Sequence, residues 1–100
     1  MRGESILIVD DEKLIRWSLS KEMTNAGFTV FEAETVESAL EIIREKEPDV
    51  VLLDQHLPDR PGMEVLKMIK ESDLGIPVIM LTIVDKSDIA VQAMKLGAFD

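Results

Sequence analysis

The sequence predicts an α/β fold, a parallel sheet doubly wound with helices on both faces. Three observations lead there: short apolar runs rich in β-branched residues, intervening stretches with apolar residues at helical spacing, and regular alternation of the two. Connections of this length are too long for hairpins, so each strand is expected to reach the next by a right-handed crossover. With 100 residues, 46% of them hydrophobic, the chain has material for one core and one domain, residues 1–100.

The first strand is predicted at residues 6–9, Ile-Leu-Ile-Val, apolar on both faces as a buried parallel strand is. Ile15, Leu19, Met23 and Ala26 form one helical stripe, and Gly27 follows as the residue just past the helix end. Trp17 lies beside that stripe and is expected to pack there, partly buried. Residues 28–31 make a weaker strand nearer a sheet edge. The second helix carries Val36, Ala39, Leu40 and Ile43, with Thr35 as N-cap, and Pro48 disfavours helix at Glu47. The third strand is predicted at 50–53, and Met63, Leu66 and Ile69 form the stripe of the third helix after Pro61-Gly62. Residues 76–81, interrupted by Pro77, give the fourth strand. Ile89, Ala93 and Leu96 give a fourth helix between an N-cap at Ser87 and Gly97. Ala98-Phe99-Asp100 reads as an apolar restart, so a fifth strand is expected beyond this sequence.

Composition narrows the function. With no cysteine, neither disulfides nor thiolate metal sites are available, and a cytoplasmic setting fits. A net charge of −9 repels a phosphate backbone, so this segment is not expected to bind nucleic acid. The first residues lack the apolar core of a signal peptide, and the longest nearly apolar stretch is far short of the ~20 residues that cross a bilayer.

In open parallel sheets, ligands bind outside the carboxyl ends of the strands. There the first strand runs into Asp10 and Asp11, the third into Asp54 and the fourth into Thr82. Carboxylates crowded on one rim repel each other unless a cation joins them. All-oxygen ligands favour Mg2+, with Mn2+ as a substitute. The competing explanation, that Asp10 or Asp11 caps the first helix, accounts for one acid and not for three.

From residue 6 to the end, the chain resembles the response-regulator receiver domain of two-component systems. The resemblance rests on Val9-Asp10-Asp11-Glu12, on Asp54-Gln55-His56-Leu57-Pro58 with Gly62 following, on Leu81-Thr82, and on residues 93–100, Ala-Met-Lys-Leu-Gly-Ala-Phe-Asp. It implies a flavodoxin-like receiver fold with strand order 2-1-3-4-5, and a switch that takes a phosphoryl group from a sensor histidine kinase. Asp54 would be the phosphoacceptor. Asp11 would bind the metal directly, Asp10 through water and His56 through its main-chain carbonyl. Thr82 would contact the phosphoryl group and move inward after transfer. Pro58 and Gly62 would shape the loop, and Ile83, bulkier than the small residue usual there, would narrow the route to Asp54. The family's lysine and aromatic switch residue on the fifth strand fall past Asp100. The chain is therefore expected to be a C-terminally incomplete receiver, with four strand-helix units and an output domain elsewhere. Residues 11–19 together with 97–100 look most like the nitrogen-regulator class of transcriptional activators. Without a fifth strand, self-association through the fourth-strand edge is expected.

Two other functions compete. One is a phosphorylation-independent interaction module, which the missing lysine favours. The other is a phosphohydrolase with an aspartyl nucleophile, which normally needs a general acid two residues later, where this chain has His56.

Overall fold

A computed structural model describes residues 4–81, with seven elements among them: β1 (Ser5–Val9), α1 (Lys13–Asn25), β2 (Thr29–Ala33), α2 (Val36–Lys46), β3 (Val50–Asp54), α3 (Met63–Ser72) and β4 (Val78–Leu81). The expected fourth helix, Thr82 and Ile83 lie outside the described residues. The four strands form one parallel sheet in the order β2-β1-β3-β4, which puts β2 at an edge as its weaker pattern suggested.

Alternation along the strands sorts the apolar side chains onto two faces. Leu7, Val9, Val51 and Leu53 point to one face, where they pack with Val36, Ala39 and Ile43 of α2 and Val65 and Ile69 of α3. Ile6, Ile8, Leu52 and Leu81 point to the other, where Leu19 and Met23 of α1 cover them with Phe28. Both faces of the central strands are buried, which is why β1 and β3 read as unbroken apolar runs.

Chain reversals explain where the elements stop. At the end of α1, Gly27 has φ +100°, its N–H donates to Thr24 O at 3.0 Å, and the Phe28 N–H donates to Met23 O at 3.0 Å. This is a Schellman closure, with Phe28 and Met23 supplying the apolar contact that accompanies it. Phe28 therefore belongs to the helix stop, and β2 runs from Thr29 to Ala33 rather than over 28–31. The α2 N-terminus carries the expected Thr35 cap, with Ser38 completing a capping box. At its other end Glu47 turns left-handed at φ 44° immediately before Pro48.

Three packing expectations are corrected. Met63 is exposed, and Val65 replaces it as the buried partner of Ile69, because the apolar face of α3 is rotated toward α2. Ala26 is exposed, because it is the cap residue where α1 already turns away from the sheet. Trp17 is 58% exposed and beside it Leu14 is 74% exposed. The one-residue step from the Arg16 position carries Trp17 off the core face, and Lys21 Nζ sits 5.0 Å from its ring centroid. Replacing Trp17 by Ala is expected to change the unfolding free energy by less than about 0.5 kcal/mol. The modest cation–π loss is offset by better helix propensity, and urea unfolding of the two proteins checks it.

Candidate functional site

The β1–β3 pairing ends at Val9 with Leu53, so the next residues, Asp10 just past β1 and Asp54 at the last position of β3, emerge side by side at the carboxyl rim. Asp10, Asp11 and Asp54 each bring a carboxylate oxygen to within 4.8 Å of the others. Asp10 is buried, Asp54 half-buried and Asp11 exposed, so the cluster opens to solvent on the Asp11 side. All three ligand atoms are hard carboxylate oxygens, the donor set that fits a hard divalent cation.

Electrostatics bears the mark of that crowding. Burial pushes the Asp10 carboxyl up to about 6, and the charges of Asp54 and Asp11 push the same way against the stabilising Glu12 N–H. The Asp54 carboxyl is raised as well, first by burial and then by Asp11, while main-chain N–H groups of His56 and Gln55 hold it down. Neighbouring carboxylates that resist ionisation together are what a bound cation would relieve. The capping explanation survives in part, because Asp10 Oδ1 accepts from the Glu12 N–H at 2.9 Å. Glu12, not Asp10 or Asp11, is the N-cap of α1, and its side chain makes no cap bond.

The loop after β3 closes beneath Asp54. The His56 N–H donates to Asp54 Oδ1 at 3.2 Å, and the Gly62 N–H donates to Gln55 O at 2.9 Å. His56 and Pro58 are exposed and line an open cleft with Gln55, Leu57, Asp59 and Met63. Gly62 is buried at the N-cap of α3 with helical φ and ψ, so its requirement is not conformational. A Cβ there would fall on the Asp54 carbonyl oxygen, with the Asp54 carbonyl carbon and the Gln55 Cα each 3.1 Å away.

Two residues at the site carry no signal in the sequence. Arg16 is buried and joins the end of β1 to Glu32 and Glu34 at the end of β2. Asp59, in the loop beneath the cluster, accepts from the Val36 N–H at 2.9 Å and from the Glu37 N–H at 3.1 Å, tying that loop to the start of α2. Apart from the Asp10 carbonyl, six residues from Arg16, these partners lie 16 to 23 residues away in sequence, beyond any spacing rule.

The helix N–H groups hold the Asp59 carboxyl below its usual value. A depressed pKa contributes stability above the unfolded value and loses it as pH falls through the folded value. Asp59→Ala is thus expected to destabilise the chain at pH 7 and to have a smaller effect in acid, as urea unfolding at the two pH values would read.

The family model of the response regulator receiver domain matches residues 6–100. The chain belongs to that family. This receiver is 39% identical over 102 residues to the phosphate regulon transcriptional regulatory protein PhoB of Pseudomonas aeruginosa, covering 100% of this chain and 44% of that protein. It is 39% identical over 100 residues to the DNA-binding transcriptional regulator NtrC of Escherichia coli, covering 100% of this chain and 21% of NtrC. Among solved structures, the non-phosphorylated HemR receiver domain from Leptospira biflexa superimposes with a TM-score of 0.76 at 26% identity, covering 95% of this chain and 77% of that one. The receiver thus spans less than half the length of these two curated relatives. Among the described residues, no helix is long and apolar enough to cross a membrane.

Proposed function

We propose that this chain is the phosphorylation-dependent switch of a two-component system, taking a phosphoryl group from a phosphohistidine of a sensor kinase onto Asp54. The observation that carries this reading is the convergence of the Asp10, Asp11 and Asp54 carboxylates at the end of β1 and β3. In the transfer, an Asp54 carboxylate oxygen bonds to phosphorus as the P–N bond breaks, and the electron pair returns to the imidazole of the kinase. Mg2+, with Mn2+ as a substitute, neutralises charge on the phosphoryl oxygens when bound.

Asp11 would hold the cation directly, Asp10 through water and His56 through its main-chain carbonyl. Asp54 is held for in-line attack by the His56 N–H on one carboxylate oxygen and by its place at the end of β3. Pro58 and Gly62 set the course of the loop beneath it. Thr82 would contact a phosphoryl oxygen; it and Ile83, the residue assigned to access, lie outside the described residues. The chain accepts and loses its own phosphoryl group without turning over a separate substrate. Its output domain is transcriptional, of the nitrogen-regulator class, a reading supported by the similarity to NtrC.

Incubation with acetyl phosphate and Mg2+, then intact mass measurement and mapping of the adduct, tests the proposal. One phosphoryl group on Asp54, dependent on the cation and absent from Asp54→Asn, is expected. An adduct on any other residue overturns it, and steady turnover of a generic phosphate ester would point instead to a phosphohydrolase.

A further inference from the structure

We infer that Arg16 is a positioning residue that holds the Asp10-Asp11 turn in shape for a divalent cation by bonding the main-chain carbonyl of Asp10. The inference rests on the reading of the acidic cluster as a cation site. Arg16 is 8% exposed, and a buried guanidinium is costly unless its donors are used. They are used in three directions: Nη1 donates to Asp10 O at 2.8 Å, Nε to Glu32 Oε1 at 3.2 Å, and Nη2 lies 3.5 Å from Glu34 Oε2.

The bond to Asp10 O is the shortest of these contacts and lies in the buried part of the cluster. It also occurs where the sheet stops helping. The β1–β3 register ends at Val9 with Leu53, and the Asp10 N–H makes a last bond to Ala33 O at 3.1 Å. Past that point the backbone turns into α1, and Arg16, in the first turns of that helix, donates to the Asp10 carbonyl. Asp10 is then held at its N–H by β2, at its carbonyl by α1 and at its carboxylate by the Glu12 N–H. Repulsion among three carboxylates tends to open such a turn when no cation is bound. Arg16 resists that opening through the main chain, while Glu32 and Glu34 neutralise its charge. The affinity of the cluster for a cation therefore depends on a side chain that never touches the ion, as supporting contacts behind metal ligands commonly do.

The test is titration of the full chain with MnCl2, following free Mn2+ by its electron paramagnetic resonance signal and confirming the site by competition with MgCl2. Wild type, Arg16→Gln, Arg16→Lys and Ile43→Val are compared, with urea unfolding in EDTA giving each one's stability. Ile43 is a buried core residue of α2, so Ile43→Val weakens the fold without touching the turn. Arg16→Gln is expected to weaken Mn2+ binding by about tenfold or more at a concentration where it is fully folded. Arg16→Lys, which keeps one charged donor for the carbonyl, is expected to stay within about threefold of wild type. Ile43→Val is expected to bind as wild type does.

Unchanged affinity in Arg16→Gln, an equal loss in Ile43→Val, or an equal loss in Arg16→Lys overturns the role assigned to the Asp10 carbonyl bond. In those cases the cation site stands. A wild-type chain that takes up no Mn2+ overturns the reading of the cluster and this inference with it.

Discussion

Gly62→Ala is expected to destabilise the chain by roughly 3 kcal/mol or more, at or above the upper end for overpacking a core. The added methyl group would land on the Asp54 carbonyl oxygen, with further backbone atoms of Asp54 and Gln55 at 3.1 Å. Nothing flexible stands in the way to give; only the end of β3 or the start of α3 can shift. Either movement strains the Gly62 N–H bond to Gln55 O and displaces Asp54 from the carboxylate cluster. Gly27→Ala is the control, because its Cβ would meet nothing within 4 Å and its cost comes only from φ +100°. That cost is about 1 kcal/mol. Urea unfolding distinguishes them, and equal losses in the two variants would mean that the close approach at Gly62 is relieved without effort.

Asp10→Asn is expected to make the cation-free chain more stable at pH 7.5 while nearly abolishing its response to Mg2+. The Asp10 carboxyl rises from 3.8 to about 6 in the folded state. A raised acid binds more protons folded than unfolded, so stability falls as pH climbs from about 4 to 6, and the whole penalty is present above that window. Asparagine keeps an oxygen for the Glu12 N–H and removes both the buried charge and its repulsion toward Asp54 and Asp11. In EDTA the variant should therefore exceed wild type at pH 7.5 and converge with it near pH 4. Mg2+ reverses the order, because a ligand at a hundredfold excess over its dissociation constant stabilises by about 2.7 kcal/mol and the variant has lost a carboxylate from the cluster. For the same reason wild-type affinity should fall as pH drops through about 6 and protons compete for Asp10. Thermal melts across pH, with Mg2+ and with EDTA, check both halves. A variant less stable than wild type in EDTA at pH 7.5 would show that the acid is not strained in the folded chain.

Both results concern residues that stand out in the sequence, yet for different reasons. Asp10, Asp11 and Asp54 announce themselves because each follows an apolar run, and a parallel sheet necessarily delivers the ends of its strands to one rim. Gly62 is legible there only as part of a pattern. Its reason, a helix start resting on the Asp54 carbonyl, is a contact between two backbones.

The chain's own periodicities determined the α/β class, the apolar character of β1 and β3 on both faces, the Thr35 cap and the stop at Gly27. Each of these depends on residues within one or two turns of one another. Tertiary structure alone decided that Trp17 faces solvent, that Val65 rather than Met63 is buried, and that Phe28 closes a helix instead of opening a strand. It alone brought Arg16 to the Asp10 carbonyl and Asp59 to the start of α2. The physical reason is the range of the interactions. Hydrophobic period and capping act along the chain, whereas the rotation of a helix on its sheet and the partners of a buried charge are set by whatever neighbours the folded packing supplies.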